Sequence, residues 1–137
     1  MEAHATFDVT GWDASSYDRP EEGPELTRVT IRKKFQGDLD GESTGEGLFC
    51  GLSDPEAGAG YVVSEKVTGT LAGRTGTFVL QHGGIMGPGV APHSFGNVVP
   101  GSGTGELAGL GGKMEISRTE DGVHTLTLQC SFDKDNA

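Results

Sequence analysis

A phrase that occurs twice constrains the fold more than any other feature of this sequence. Residues Thr68–Gly76 and Thr104–Gly112 both follow the pattern Thr-Gly-x-Leu-Ala-Gly-x-x-Gly. Glycine reaches the positive φ angles that tight hairpin turns require, so each copy predicts a strand end, an Ala-Gly turn and a returning strand. Hairpins that repeat along a chain indicate an antiparallel meander.

Runs in which apolar and polar residues alternate extend this meander over the whole chain. The clearest runs are Leu26–Gln36, Gly60–Leu71 and Val123–Phe132. Alternate residues of a strand face opposite sides of a sheet, so each run has one face suited to burial. With eight such strands and no convincing helix, we expect an all-β fold: a closed eight-stranded antiparallel β-barrel that forms a single domain over residues 1–137.

Polar, Gly-rich and Pro-rich segments set the expected strand boundaries. We expect the first strand to span Ala5–Gly11 and to end at Trp12, followed by a polar connection over residues 13–25. The Gly- and Pro-rich residues 83–93 predict a mobile flap or a crossing loop. The sixth strand is then expected at Ser94–Leu107.

The fifth strand is apolar on both faces around Phe78, Val79 and Leu80. An apolar outer face needs cover, so we expect another strand, a loop or a second subunit to pack against it. The last of these alternatives would make the protein a homo-oligomer, most simply a dimer.

The charge balance excludes several classes of partner. The net charge is −10, from 10 Lys plus Arg against 20 Asp plus Glu, which repels phosphate backbones and anionic lipid surfaces. We therefore expect no nucleic acid and no membrane among the partners. No apolar run reaches the roughly 18 residues that span a bilayer, and the N-terminus lacks a basic region followed by an apolar one. These features predict a soluble, cytoplasmic protein.

The cysteines and histidines give no metal-binding pattern. Cys50 and Cys130 are too few for a disulfide framework or a metal knuckle, and they are interpreted as buried free thiols. The four histidines lack the spacing that is typical of metal sites. We expect neither a metal nor a cofactor.

Charged residues with inward parity are the main candidates for a functional site. Lys33 and Glu65 share the parity of the apolar residues in their strands. A charge inside a barrel must be paired or have a shifted pKa. One interpretation is a Lys33–Glu65 ion pair, or a bulge that turns one of the two outward. The other makes Glu65 or Glu106 a general acid or base whose pKa is raised by an apolar pocket.

His82 completes the set of catalytic candidates. It shares the parity of Phe78 and Leu80 and is predicted to face a cavity mouth, the alternative being a hydrogen-bonded structural histidine. The candidate catalytic residues are Glu65, Glu106 and His82. The candidate ligand-binding residues are Gln81, Lys33, Tyr61, Phe78, Phe95 and Met114.

Several stretches carry a family resemblance. Gly73–Gly83 followed by Val99–Gly112 closely resembles the bacterial domain-of-unknown-function family 3224, and Glu65–Gly73 and the late strand that begins at His124 also match. That family resembles the allene oxide cyclase barrel group, whose members are small antiparallel barrels with a central cavity and often associate as oligomers. The resemblance implies this fold and cavity. It assigns no catalytic residue, because none is agreed for the family.

Two functions of different classes fit these features. The first is a cofactor-independent cyclase or isomerase that holds a small, largely apolar metabolite folded in the cavity, as in natural-product biosynthesis. The second is a non-catalytic module that binds a small ligand or assembles as a homo-oligomer. A Glu65→Gln change affects turnover under the first hypothesis and stability alone under the second.

Overall fold

The chain folds into one antiparallel sheet whose eight strands form a ring. In this computed structural model, which describes residues 1–132, the strands are β1 (Glu2–Asp18), β2 (Leu26–Gly37), β3 (Leu39–Cys50), β4 (Ala59–Leu71), β5 (Arg74–Gly87), β6 (Val90–Val98), β7 (Leu110–Arg118) and β8 (His124–Phe132). Each strand pairs with the next, and β8 pairs back with β1. The all-β, eight-stranded antiparallel expectation is confirmed.

Helical structure within residues 1–132 is limited to two short 3₁₀ turns, Pro55–Ala57 and Gly105–Leu107. Neither is long or apolar enough to cross a membrane.

The alternation in the sequence decides which side chains fill the ring. Phe35, Glu65 and Val67 are buried, while the residues on either side of each are exposed. The main apolar cluster occupies the end of the ring that carries the β2–β3 and β4–β5 turns, and its largest fully buried members are Phe35, Phe78, Leu39, Leu71, Leu80, Leu107, Leu110, Leu126 and Leu128. A smaller cluster lies toward the opposite end and consists of Val29, Ile31 and Val63. Burial of these side chains is the main favourable term in folding.

β1 is longer than the sequence predicted. It continues past Trp12 and pairs with β2, so residues 13–18 belong to a strand and not to a loop. A register shift between Val9 and Gly11 changes which residues face inward; Phe7 is buried but Val9 is 42% exposed. The prediction was wrong because strand pairing uses backbone groups, which remain available when the side chains are polar.

Residues 83–93 form strand, and the predicted flap or crossing loop is wrong. β5 continues to Gly87 and β6 begins at Val90, joined by a tight turn in which Gly89 has a φ of 72°. Glycines in this stretch pair through their backbones, which composition does not reveal. β6 then ends at Val98, well before Leu107.

The two copies of the repeated phrase fold differently. In the first copy, Ala72 and Gly73 form the β4–β5 hairpin turn with φ angles of 49° and 84°, which confirms the prediction. In the second copy, Gly105–Leu107 is a 3₁₀ turn that leads into β7. No hairpin forms there, because the preceding strand has already ended at Val98.

The segment between β6 and β7 runs along the edge of β5. The backbone of Val79 accepts a hydrogen bond from Val99 N–H at 2.9 Å and donates one to Ser102 Oγ at 3.0 Å. Leu107, in the same segment, is fully buried. These hydrogen bonds run along the edge of β5, and Leu107 packs into the main apolar cluster, so neither covers the outer face of β5. The cover expected for the outer face of β5, and with it dimerisation, stays a prediction.

β6 and β7 have the shortest paired stretch in the ring. Their pairing is confined to Asn97 with Lys113 and Val98 with Gly112, whereas β4 pairs with β5 along its whole length. The rest of β6, toward Val90, has no partner in β7. The two strands therefore leave an opening in the side of the ring.

Candidate functional site

Four polar side chains from four consecutive strands meet inside the ring. These residues, each at most 7% exposed, are Lys33 on β2, Ser43 on β3, Glu65 on β4 and His82 on β5. Glu65 Oε1 lies 2.9 Å from Lys33 Nζ and 2.7 Å from His82 Nε2. Ser43 Oγ donates a hydrogen bond to Glu65 Oε2 at 2.7 Å. The ion pair that was one of the two sequence interpretations is present, and Glu65 is its centre.

The register of β3 makes room for this polar cluster. Ser43 pairs with Lys33 across the β2–β3 ladder, and Gly45 pairs with Glu65 across the β3–β4 ladder. A Cβ atom at position 45 would lie 2.8 Å from Glu65 Cβ, which is closer than real side chains pack. The missing side chain of Gly45 therefore allows Glu65 to lie beside its partners.

The neighbours of Glu65 keep its carboxylate ionised. Burial acts to raise the pKa of Glu65. The hydrogen bond from His82 and the charge of Lys33 act in the opposite direction, as does the hydrogen bond from Ser43, and together they lower the pKa to about 2. The raised pKa predicted from the sequence is wrong, because the pocket around this carboxyl is polar. Glu65 is an anion at neutral pH and is not a general acid there.

His82 has one ring nitrogen bound to Glu65 and one without a partner. An ionised carboxylate only accepts hydrogen bonds, so the proton of the short contact lies on Nε2 of His82. In the neutral ring, Nδ1 is then an acceptor. Nδ1 is buried, and no group in residues 1–132 donates a hydrogen bond to it. A buried acceptor without a partner is rare in proteins, so this nitrogen is a candidate for binding a ligand.

A cavity of about 460 Å³ borders His82. Its walls include residues 94–97 of β6 and 113–116 of β7, so it opens where those strands separate. The inner wall is formed by Tyr61, Gly96 and Met114 around His82, and charged residues of β7 lie farther out. The parity argument that turned His82 toward a cavity agrees with this arrangement.

A second cavity of about 390 Å³ lies at the adjoining end of the ring. Its walls are mainly apolar and include Leu52, Pro55, Ile85, Met86 and Pro92. Tyr61 and Ser94 border both cavities. The two spaces are thus neighbours, one beside a polar cluster and the other between apolar side chains.

Aromatic rings connect the rim of the ring to His82. The Trp12 and Phe49 ring centroids are 5.6 Å apart, and Phe49 stacks on Tyr61 at 5.3 Å. Tyr61 meets His82 edge to face at 5.9 Å. Burial raises the pKa of the Tyr61 phenol, and the charge of Glu65 raises it further, so the phenol stays protonated.

Sequence reasoning missed three residues of this region. Trp12 was assigned to the end of β1, and Phe49 lies in a strand whose alternate glycines hid its inward parity. Ser43 shares that parity with Gly45, and its position opposite Lys33 was the one signal that could have identified it.

Three candidate residues lie away from the cluster. Gln81 is exposed because it alternates with its inward neighbour His82. Glu106 is exposed in the second 3₁₀ turn, where Oε1 accepts a hydrogen bond from the backbone N–H of Thr75 at 3.1 Å. Phe78 is fully buried in the apolar core and borders neither cavity. The roles predicted for these residues are therefore not supported by their positions.

The other candidates lie at or near the first cavity. Tyr61, Phe95 and Met114 border it, Phe95 at an exposed position and Met114 at a buried one. Lys33 borders neither cavity. Its Nζ donates a hydrogen bond to Glu65 and lies 4.7 Å from the centroid of the Phe7 ring. Lys33 therefore contacts other side chains and not the cavity.

Neither cysteine belongs to the polar cluster, although Cys50 borders the second cavity. Cys130 is a buried free thiol, as predicted, and Cys50 is a half-buried one. Among residues 1–132, no three His, Cys, Asp or Glu side chains are arranged to hold a metal ion.

Comparison with known proteins identifies relatives whose function is also unknown. The family described as "Protein of unknown function (DUF3224)" matches residues 3–130. A crystal structure of a protein of unknown function from the same family, from Shewanella oneidensis MR-1, has 38% sequence identity and a TM-score of 0.82. That match covers 97% of this chain and 98% of the other. No curated protein matches the sequence.

Proposed function

The chain belongs to the DUF3224 family, and we propose that it is a cofactor-independent isomerase or cyclase acting on a small, largely apolar metabolite. In this proposal the ring of strands is a closed barrel of the allene oxide cyclase-like kind, and the substrate occupies the cavity beside His82. One observation supports it above the others. A buried histidine is held by an ionised carboxylate through one nitrogen, its other nitrogen has no partner, and the residue borders a cavity.

His82 Nδ1 is the group that moves the proton. As an acceptor, Nδ1 takes a proton from an acidic C–H or O–H of the substrate and returns it to a different atom of the same molecule. One bond to hydrogen breaks and one forms, so the reaction needs no oxidant or reductant. A positioned base of this kind contributes about 10²- to 10⁴-fold to the rate.

Glu65 is a positioning residue in this scheme. Its hydrogen bond at 2.7 Å fixes the tautomer and orientation of the His82 ring, and its charge stabilises the imidazolium that forms during the transfer. Lys33 offsets the charge of Glu65 at 2.9 Å, which allows the carboxylate to remain buried. The strands hold all three side chains in place before the substrate binds, and such preorganisation lowers the barrier.

The same network favours a second candidate, a non-catalytic small-ligand-binding module. Glu65 already has three hydrogen-bonding partners. A buried network whose carboxylate is paired in this way can have a purely structural role. Only the unpartnered Nδ1 of His82 requires something more, and a ligand that is bound but not converted meets that requirement too.

The decisive experiment replaces the base and keeps its hydrogen bond to Glu65. In His82→Gln, the side-chain amide can donate to Glu65, but no group remains that takes up a proton. Enolisable ketones and conjugated dienones are screened with the wild type. The kcat for the best substrate is then measured for the wild type and for His82→Gln. We expect kcat to fall by about 10²- to 10⁴-fold with the folded structure retained by circular dichroism.

Gln81→Ala is the matched control, because Gln81 is the exposed neighbour of His82 on the same strand. Its kcat is expected to equal that of the wild type. Turnover that survives in His82→Gln rules out the proton-transfer role. The absence of turnover over the whole screen, with ligand binding intact, leaves the binding module as the function.

A further inference from the structure

We infer that the cavity beside His82 selects a neutral molecule with an O–H or N–H donor at one end and an apolar group at the other. The inference rests on the proposed function in that it assigns the same cavity to the ligand. It goes further, because it specifies which hydrogen-bonding group the ligand presents, which charge it lacks and where its apolar part lies.

The donor requirement follows from the tautomer of His82. Glu65 is ionised and accepts the hydrogen of Nε2, so the neutral ring offers only an acceptor at Nδ1. A ligand that carries an acceptor alone, such as an ether, leaves Nδ1 unpaired and loses one of its own hydrogen bonds to water. A phenol, an enol, an alcohol or a ring N–H satisfies Nδ1.

The charge requirement follows from the groups around the cavity. An anionic group placed at Nδ1 would be repelled by the lone pair of that nitrogen. The charge of Glu65, whose Oε1 lies 2.7 Å from His82 Nε2, would add to the repulsion. The charge of Lys33 is already paired with that carboxylate. In the outer part of the cavity, Lys113 and Glu115 lie two residues apart on β7, and their opposite charges offset each other. The net charge of −10 adds a further repulsion against anions.

The second cavity provides the place for the apolar part. Its side chains, among them Leu52, Ile85 and Met86, are apolar, and it shares Tyr61 and Ser94 with the first cavity. A molecule whose donor binds His82 extends past Tyr61 into this space. Each CH₂ group that leaves water there increases the affinity by up to about fourfold.

The test uses three probes of nearly equal shape: 4-butylphenol, 4-butylanisole and 4-butylbenzoate. Isothermal titration calorimetry on the full chain is expected to show the phenol binding at least about fivefold more tightly than the anisole, because only the phenol pairs with Nδ1. The benzoate is expected to bind most weakly. In His82→Phe, which removes the acceptor, the phenol and the anisole are expected to bind equally.

A second measurement needs no variant and so does not depend on how His82→Phe folds. In wild-type protein labelled with ¹⁵N-histidine, the unprotonated Nδ1 resonance of His82 is expected to shift when 4-butylphenol binds and to stay in place with 4-butylanisole. Equal binding of the phenol and the anisole, tighter binding of the benzoate, or an unmoved Nδ1 resonance each overturns the inference.

The apolar end is tested with 4-methylphenol, 4-ethylphenol and 4-butylphenol. Affinity is expected to rise along the series in the wild type. Met86→Glu, which places a charge in the second cavity, is expected to abolish this rise. Val123→Glu adds the same charge at an exposed position that borders neither cavity, and the rise is expected to persist there. A rise that persists in Met86→Glu means that the apolar end lies elsewhere.

Failure of the inference and failure of the proposed function are distinguishable. Donor-selective binding without turnover of any screened substrate supports the inference and contradicts the proposed isomerase. Turnover that requires His82, together with equal inhibition by the phenol and the anisole, supports the isomerase and contradicts the inference.

Discussion

The two ends of the ring interior are built from the same strands but are filled differently. At the end that carries the β4–β5 turn, inward positions are large and apolar, and Phe78, Leu71 and Leu80 are fully buried. Toward the other end, inward positions include Gly45 and Gly96 and the charged network of Glu65, and cavities remain. The first arrangement maximises packing, and the second leaves a polar group unpartnered beside empty space. The contrast separates the part that stabilises the fold from the part that we propose binds a ligand.

The largest expected effects come from one substitution in each end: the first creates a cavity, and the second removes a counter-charge. Phe78→Ala in the apolar end is expected to lower the free energy of unfolding by about 3–5 kcal/mol, because a cavity replaces a ring. Lys33→Met is expected to cost about as much, because Glu65 loses its counter-charge inside the ring. Urea denaturation measures both.

A second substitution, added to Lys33→Met, distinguishes the loss of a counter-charge from the loss of packing. In Lys33→Met/Glu65→Gln no unpaired charge remains. The amide oxygen can accept from His82 Nε2 and the amide NH₂ can donate to Ser43 Oγ, so most of the lost stability is expected to return. No neighbouring exchange refills the hole left at Phe78 as simply. A double variant as unstable as Lys33→Met alone contradicts the interpretation of the network as a charge pair.

The ionised carboxylate of Glu65 gives the polar end a dependence of stability on acid pH. The pKa of Glu65 is lowered to about 2 from an ordinary 4.5, so the folded state releases this proton more readily than the unfolded state does. The resulting stability, about 3 kcal/mol, is fully present above pH 4.5 and is lost as the pH falls toward 2.

The check is the difference between the wild type and Glu65→Gln in urea denaturation across this pH range. That difference is expected to shrink as the pH falls. A constant difference would show that Glu65 has an ordinary pKa in the folded protein.

A smaller effect is expected from filling the glycine opposite Glu65. In Gly45→Ala the new Cβ lies 2.8 Å from Glu65 Cβ, so the carboxylate must shift away from its partners. We expect a loss of about 1–3 kcal/mol in thermal or urea unfolding, together with weaker binding at the first cavity. Gly60→Ala is the control, because its Cβ meets no atom closer than 3.4 Å. Equal stability of the two variants would show that Gly45 is not needed for the cluster.

The smallest effect is expected at a carboxylate outside both ends. Glu106 is exposed and accepts a hydrogen bond from Thr75 N–H at 3.1 Å. Glu106→Gln retains an accepting oxygen, so stability is expected to change by no more than about 0.5 kcal/mol and ligand binding not at all. Loss of binding in this variant would reopen the role first predicted for Glu106.

The sequence identified the inward charges, but their chemistry depended on neighbours that are distant in the chain. Lys33, Glu65 and His82 were recognised because inward and outward positions alternate along each strand. That Glu65 has a lowered pKa follows from contacts with three other strands, and no local pattern specifies those contacts. The prediction therefore placed these three side chains inside the ring and misjudged the protonation of Glu65.

The repeated phrase shows the same limit. Its two copies have the same turn residues, yet Ala72 and Gly73 close a hairpin while Gly105–Leu107 forms a 3₁₀ turn against β5. A glycine turn can begin a hairpin only where a strand leads into it, and the length of that strand is set by its pairing partners.

What the sequence determined by itself was the strand character of the chain and the face on which each side chain lies, because a period of two residues is a local property of the backbone. The tertiary structure alone decided the register between strands, the short β6–β7 pairing and the loop that follows the edge of β5. Those features depend on which distant segments pack together, and that packing is determined by the whole ring and not by any local stretch of sequence.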